Sequence, residues 1–121
     1  MSHPVKYHGS CHCKSVQFTI SNTAITEALQ CNCSICRRKN AVMSKDHFTP
    51  TQFTLVCGGD NLSVYHWGDG DVNHYFCKTC GIYPFHDSTY KPGHYRVNLG
   101  CLEEIDGSDL MVDFFDGKHE L

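Results

Sequence analysis

The spacing of the cysteines constrains this chain more than any other feature of its 121 residues. Seven of the nine cysteines lie in Cys11-His12-Cys13, Cys31-Asn32-Cys33-Ser34-Ile35-Cys36 and Cys77-Lys78-Thr79-Cys80. Thiolates two or three residues apart are close enough for one metal ion to span them, and four thiolates close a tetrahedral zinc site. The doublets Cys11/Cys13 and Cys77/Cys80 supply four ligands. The triplet Cys31/Cys33/Cys36 supplies three and leaves a coordination position open. The expectation is therefore Zn2+ at about two ions per chain, one closed site that helps the chain fold and one open site that acts.

Reading the thiols as ligands depends on where the chain resides. The opening Met1-Ser2-His3-Pro4-Val5-Lys6 lacks the apolar stretch of a secretory leader, and no run approaches the roughly 20 apolar residues of a membrane span. The expected location is cytoplasmic and reducing, where clustered cysteines are ligands or redox groups rather than disulfides. The odd cysteine count also argues against a fully paired disulfide framework. A net charge of −3 gives no reason to expect a nucleic acid or an anionic membrane as partner. Arg37-Arg38-Lys39 is a local exception, readable either as a solvated turn or as a group that attracts an anionic substrate or stabilises thiolate charge. The length and a 40% hydrophobic content fit a single domain over residues 1–121.

Between the clusters the segments are short, alternating and rich in β-formers. Ser15–Ile20 places Val16, Phe18 and Ile20 on one face. Phe53–Val56, the turn Gly58-Gly59-Asp60-Asn61 and Leu62–Trp67 read as a hairpin. Val72–Phe76, Tyr95–Leu99 and Leu110–Phe115 are further strand candidates, and Asp106-Gly107 and Asp116-Gly117 mark late turns. Ser34–Lys39 is the best helical turn. The expected fold class is mostly β, a small zinc-binding domain with little helix and with its ligands on loops.

Cys77-x-x-Cys80-Gly81 has the form of a zinc knuckle, in which backbone N–H groups point at both sulfurs and Gly tolerates a positive φ. A thioredoxin-like pair would need a helix after its first cysteine, which Gly81-Ile82-Tyr83-Pro84 cannot start. His12, between two ligands, should point away from the metal. At the second cluster three thiolates weaken a zinc ion as a Lewis acid. This disfavours a zinc-hydroxide hydrolase and favours a site that binds and activates a thiol. Cys31, Cys33 and Cys36 are thus the candidate residues at the open zinc. The alternative is a purely structural second zinc in a non-catalytic binding module, with Cys57, Cys101 or His74 as fourth ligand. His74 and His86, flanking the knuckle, are structural groups or acid/base groups.

Gly9-Ser10-Cys11-His12-Cys13, the triplet with Arg37-Arg38, His74 to Ile82 and Val97-Asn98-Leu99-Gly100-Cys101-Leu102 resemble the glutathione-dependent formaldehyde-activating enzyme family. With Phe114-Phe115-Asp116-Gly117 they are similar to the branch that includes centromere protein V, and the resemblance runs from about Gly9 to Gly117. It implies a β-tent zinc fold, a structural zinc on Cys11, Cys13, Cys77 and Cys80, and a second zinc on Cys31, Cys33 and Cys36. It also implies a carbon–sulfur lyase-type activity that joins glutathione, or another small thiol, to formaldehyde. The basic, proline-rich extension of centromere protein V has no counterpart here, so chromatin or microtubule binding is not expected.

Overall fold

The computed structural model describes residues 6–21, 23–66, 70–105 and 110–120. Among the described residues ten strands form three small sheets, accompanied by two short α-helices. β1 (Lys6–Ser10), β2 (Gln17–Ser21) and β5 (Phe53–Cys57) make the first, in the order β1-β2-β5. The second is β10-β3-β4, from β3 (Glu27–Cys31), β4 (Met43–Ser44) and β10 (Met111–Phe115). The third is β6-β7-β8-β9, from β6 (Leu62–Tyr65), β7 (Val72–Cys77), β8 (Phe85–Ser88) and β9 (Lys91–Val97). Helix α1 (Ser34–Lys39) follows β3, and α2 (Gly117–Glu120) follows β10. The mostly-β expectation holds.

Alternation places the core. Val16, Phe18 and Ile20 share one buried face, as their spacing requires. Phe18 and Phe53 from the first sheet meet Phe85 and Tyr95 from the third. Phe18 stands edge-on to Phe85 at 5.4 Å, and Phe53 stacks on Tyr95 at 4.2 Å. Such aromatic pairs add about 0.5–1.5 kcal/mol each beyond the area they bury. The first sheet bends close over this cluster. A Cβ at Gly9 would stand 2.2 Å from the Phe18 ring, so only glycine fits there.

The structure departs from the expected hairpin. β5 pairs with β2, whereas β6 pairs with β7 in a different sheet. Asn61 explains the divergence. Its carbonyl accepts from Lys78 N–H, and its side-chain amide donates to Ser15 Oγ at 2.8 Å and to Cys77 Sγ at 3.4 Å. These bonds draw the start of β6 onto the knuckle and away from β5. Gly58, at φ 92° against the Ser15 backbone, makes the corner. Smaller differences follow the same logic. β2 begins at Gln17 because Ser15 is engaged with cysteines. Leu99 leaves β9 for a 3-10 turn capped by Asn98. Gly117 opens α2 rather than a simple turn, with Asp116 Oδ2 2.7 Å from the His119 ring. Trp67 and the expected turn at Asp106-Gly107 lie outside the described residues.

Candidate metal centres

The first sheet and the knuckle converge on four sulfurs. The Sγ atoms of Cys11, Cys13, Cys77 and Cys80 all lie within 4.8 Å of one another. Cys13 Sγ is 3.6 Å from Cys11 Sγ and 3.7 Å from Cys77 Sγ. A tetrahedron with zinc–sulfur bonds of about 2.3 Å has an edge of about 3.8 Å, so the donor set has the size zinc requires. Val16 N–H donates to Cys11 Sγ, and the N–H groups of Thr79 and Cys80 donate to Cys77 Sγ, at 3.4–3.5 Å. Gly81, at φ 78°, donates its N–H to Cys77 O and closes the knuckle.

These donors set the charge of the cluster. Burial alone would raise the Cys77 thiol. The Cys80 and Thr79 N–H groups with the Ser15 hydroxyl outweigh it and hold the thiol down to about 5. Cys77 is thus a thiolate at neutral pH, prepared for a cation. His12 is exposed and outside the cluster. Cys101 lies beside it; burial, with the charge of Cys11 and Cys80, pushes its thiol up to about 12 and keeps it neutral.

The second cluster is built by a strand end and a helix start. Cys31 ends β3, Cys33 caps α1, and Cys36 lies one turn on. Their Sγ atoms also lie within 4.8 Å of one another, and among the described residues no fourth His, Cys, Asp or Glu joins them. Cys57 is exposed and does not approach. Burial raises the Cys33 thiol, but the Cys36 N–H and the neighbouring thiols outweigh it and lower it overall. Cys36 is pushed up to about 12, first by burial, with the charge of Cys33 and Cys31 also opposing a further thiolate and only Lys39 favouring it. A thiol held neutral in this way is one whose ionisation a bound divalent cation would favour.

The triplet opens on a cavity of about 310 Å³. Leu29, Ile35, Met43 and Phe115 supply an apolar wall; Lys39, His74, His86 and Arg96 supply the polar groups. The basic run divides here. Arg37 and Arg38 are exposed, whereas Lys39 turns inward and places Nζ 4.1 Å from the centre of the Tyr83 ring. Lys39 Nζ, His74 Nε2 and Arg96 Nε are buried without a hydrogen-bond partner among the described residues. Unpaired buried polar atoms cost about 1–3 kcal/mol each, a cost a ligand can offset. Tyr83 and Arg96 escape a reading of the sequence because no motif carries them. A tyrosine three residues beyond Cys80 and an arginine inside an alternating strand have no spacing signal.

No helix among the described residues is long and apolar enough to cross a membrane. A crystal structure of a protein from Rhodobacter sphaeroides superposes with a TM-score of 0.74 at 32% identity, covering 90% of this chain and 100% of that one. Residues 6–116 match the sequence profile described as glutathione-dependent formaldehyde-activating enzyme. With two cysteine clusters of metal-binding geometry on a mostly-β fold, the chain belongs to the glutathione-dependent formaldehyde-activating enzyme family.

Proposed function

We propose that Cys11, Cys13, Cys77 and Cys80 hold a structural zinc, and that Cys31, Cys33 and Cys36 hold a second zinc at which a small thiol such as glutathione reacts with an aldehyde-like electrophile. The reaction is of the carbon–sulfur lyase type, written in the joining direction. The observation that carries this reading is the position of the three-cysteine cluster on the wall of a cavity with two inward-facing cations.

Zinc bound at the triplet would supply a Lewis acid that keeps a thiol in its thiolate form at neutral pH. The chain supplies the rest. Lys39 and Arg96 make the cavity attractive to an anionic thiol; Arg96 is fixed by its Nη2 bond to the Lys45 carbonyl at 3.2 Å. Leu29, Met43 and Phe115 exclude water from the reacting carbon, which strengthens every charge interaction within. The sulfur attacks the carbonyl carbon, the C=O pair moves onto oxygen, and the proton lost by sulfur ends on that oxygen. The membership of the chain in a family described by glutathione and formaldehyde supports both substrates.

The test is calorimetric titration of the zinc-loaded protein with glutathione, with the visible spectrum of the cobalt-substituted protein as second readout. Heat and a shift of the cobalt–thiolate bands below millimolar thiol are expected. No heat and an unchanged spectrum at that concentration would refute the reading.

A further inference from the structure

Two histidines of the cavity wall share one tyrosine hydroxyl. His74 on β7 and His86 on β8 are directly paired across the strands, and the Tyr83 hydroxyl bridges their rings. The Tyr83 hydroxyl is 2.6 Å from His74 Nδ1 and 2.8 Å from His86 Nδ1. One phenol has one proton, so it can donate to only one of the two nitrogens. The other contact must be an imidazole N–H donating to the phenol oxygen. The two histidines are therefore opposite tautomers. One presents Nε2–H, and the other presents Nε2 as a bare lone pair. Both imidazoles line the cavity that the triplet opens on, and His74 Nε2 has no partner among the described residues.

We infer that His74, Tyr83 and His86 form a neutral proton relay, which takes the proton that a thiol loses at the triplet and returns a proton to the carbonyl oxygen of the electrophile. The inference rests on the function proposed above. The proton from sulfur goes to the free Nε2 of the first histidine, whose Nδ1 proton passes to the Tyr83 oxygen. The phenol proton passes to Nδ1 of the second histidine, whose Nε2 proton goes to the oxygen gaining the C=O electron pair. The S–C bond forms, the C=O π bond breaks, and no charge accumulates on the relay. Water then restores the starting tautomers by giving a proton at one Nε2 and taking one at the other.

The surroundings enforce neutrality. Burial, and then the charge of Lys39, hold His74 down to about 4 and His86 well below the usual histidine range. Burial, with the charge of Cys36 and Cys33 adding to it, raises the Tyr83 phenol well above the tyrosine range. An ordinary acid/base histidine would have to become an imidazolium here, close to a buried ammonium. A relay that shifts protons without gaining one avoids that cost.

The relay has a signature independent of turnover. In nitrogen-15 spectra of the zinc-loaded protein, one of His74 and His86 should be the Nδ1–H tautomer and the other Nε2–H. Two imidazoles in the same tautomer would overturn the inference, and this readout does not depend on any variant folding. Tyr83→Phe keeps the ring beneath Lys39 but removes the bridging proton. It should lower kcat for glutathione and formaldehyde by about 10²-fold, measured above the uncatalysed rate, with affinity for glutathione within about twofold of wild type. A kcat within twofold of wild type, with glutathione still bound, would overturn the relay alone. Failure of the wild-type protein to bind glutathione would overturn the proposed function and the relay together.

Discussion

Two glycines allow the geometry around the four-cysteine cluster to be tested quantitatively. Gly58 (φ 92°) and Gly81 (φ 78°) share the left-handed backbone but not the space around it. A Cβ on Gly81 meets nothing within 4 Å, so Gly81→Ala carries only the conformational cost of that region, about 1 kcal/mol. A Cβ on Gly58 would stand 2.1 Å from the Ser15 carbonyl oxygen and 2.7 Å from Val16 Cα. Both obstacles are backbone, so the strand must move by about 1 Å, and overpacking of this kind adds about 1–3 kcal/mol. Gly58→Ala should thus cost about 2–4 kcal/mol in all. For a chain of this length 1 kcal/mol shifts Tm by roughly 4 °C, so the expected losses are about 4 °C for Gly81→Ala and 8–16 °C for Gly58→Ala. Thermal melts of the zinc-loaded variants, checked by urea unfolding, supply the comparison. Ser15 Oγ lies 3.3 Å from Cys77 Sγ, so Gly58→Ala should also release zinc to a chelator sooner than wild type. If the two variants melted within about 2 °C of each other, the close approach of β5 to the Ser15 segment would be wrong, and with it the account of why the chain crosses between sheets.

Elemental analysis should return about two zinc ions per chain, one released quickly to a chelator and one slowly; a single zinc, or iron with iron–sulfur absorbance, would contradict the two-site assignment. Cys77→Ser should lower Tm by more than about 10 °C because metal affinity and folding are coupled there, while Cys33→Ser should loosen the second metal and leave the fold largely intact; equal melting losses would erase the division between the sites. His74, held down to about 4 in the folded state first by burial and then by Lys39, must charge on unfolding in acid. Its contribution to stability is whole above its unfolded value near 6.5 and falls away as pH drops toward 4. His74→Gln should therefore flatten the loss of Tm between pH 6.5 and 4; parallel profiles for the two proteins would show that His74 is not held neutral.

The cysteine motifs were legible in the sequence because each is local. Cys-x-Cys, Cys-x-x-Cys-Gly and the triplet fix their own short-range geometry, and the knuckle glycine has the positive φ that its position requires. The alternation of Val16, Phe18 and Ile20 likewise declares its buried face. What escaped depends on long-range packing. The stretch from Phe53 to Tyr65 has the local form of a hairpin, and only the distant partners of Asn61 send β6 elsewhere. β3 and β4 are short and weakly alternating, so the strand that delivers Cys31 carried no periodic signal. Tyr83 gains its role from two histidines on different strands, a relation that no spacing along the chain encodes.

The parallel pairing of β10 with β3 also has a consequence for how the protein is assembled as it is synthesised. The loop carrying the triplet is fastened by residues far along the chain. Asn32 N–H donates to Phe115 O at 3.3 Å and its amide to Asp116 Oδ1 at 2.8 Å, a separation of 84 positions. Phe115 also walls the cavity. The four-cysteine cluster draws all its donors from Cys11 to Cys80, Cys13 and Cys77 being 64 positions apart. On a growing chain the donors of the four-cysteine cluster are therefore all synthesised before β10, and the cavity beside the triplet gains its Phe115 wall only when β10 follows. A nascent chain thus has no finished cavity beside the triplet until all four cysteines of the other cluster have been made.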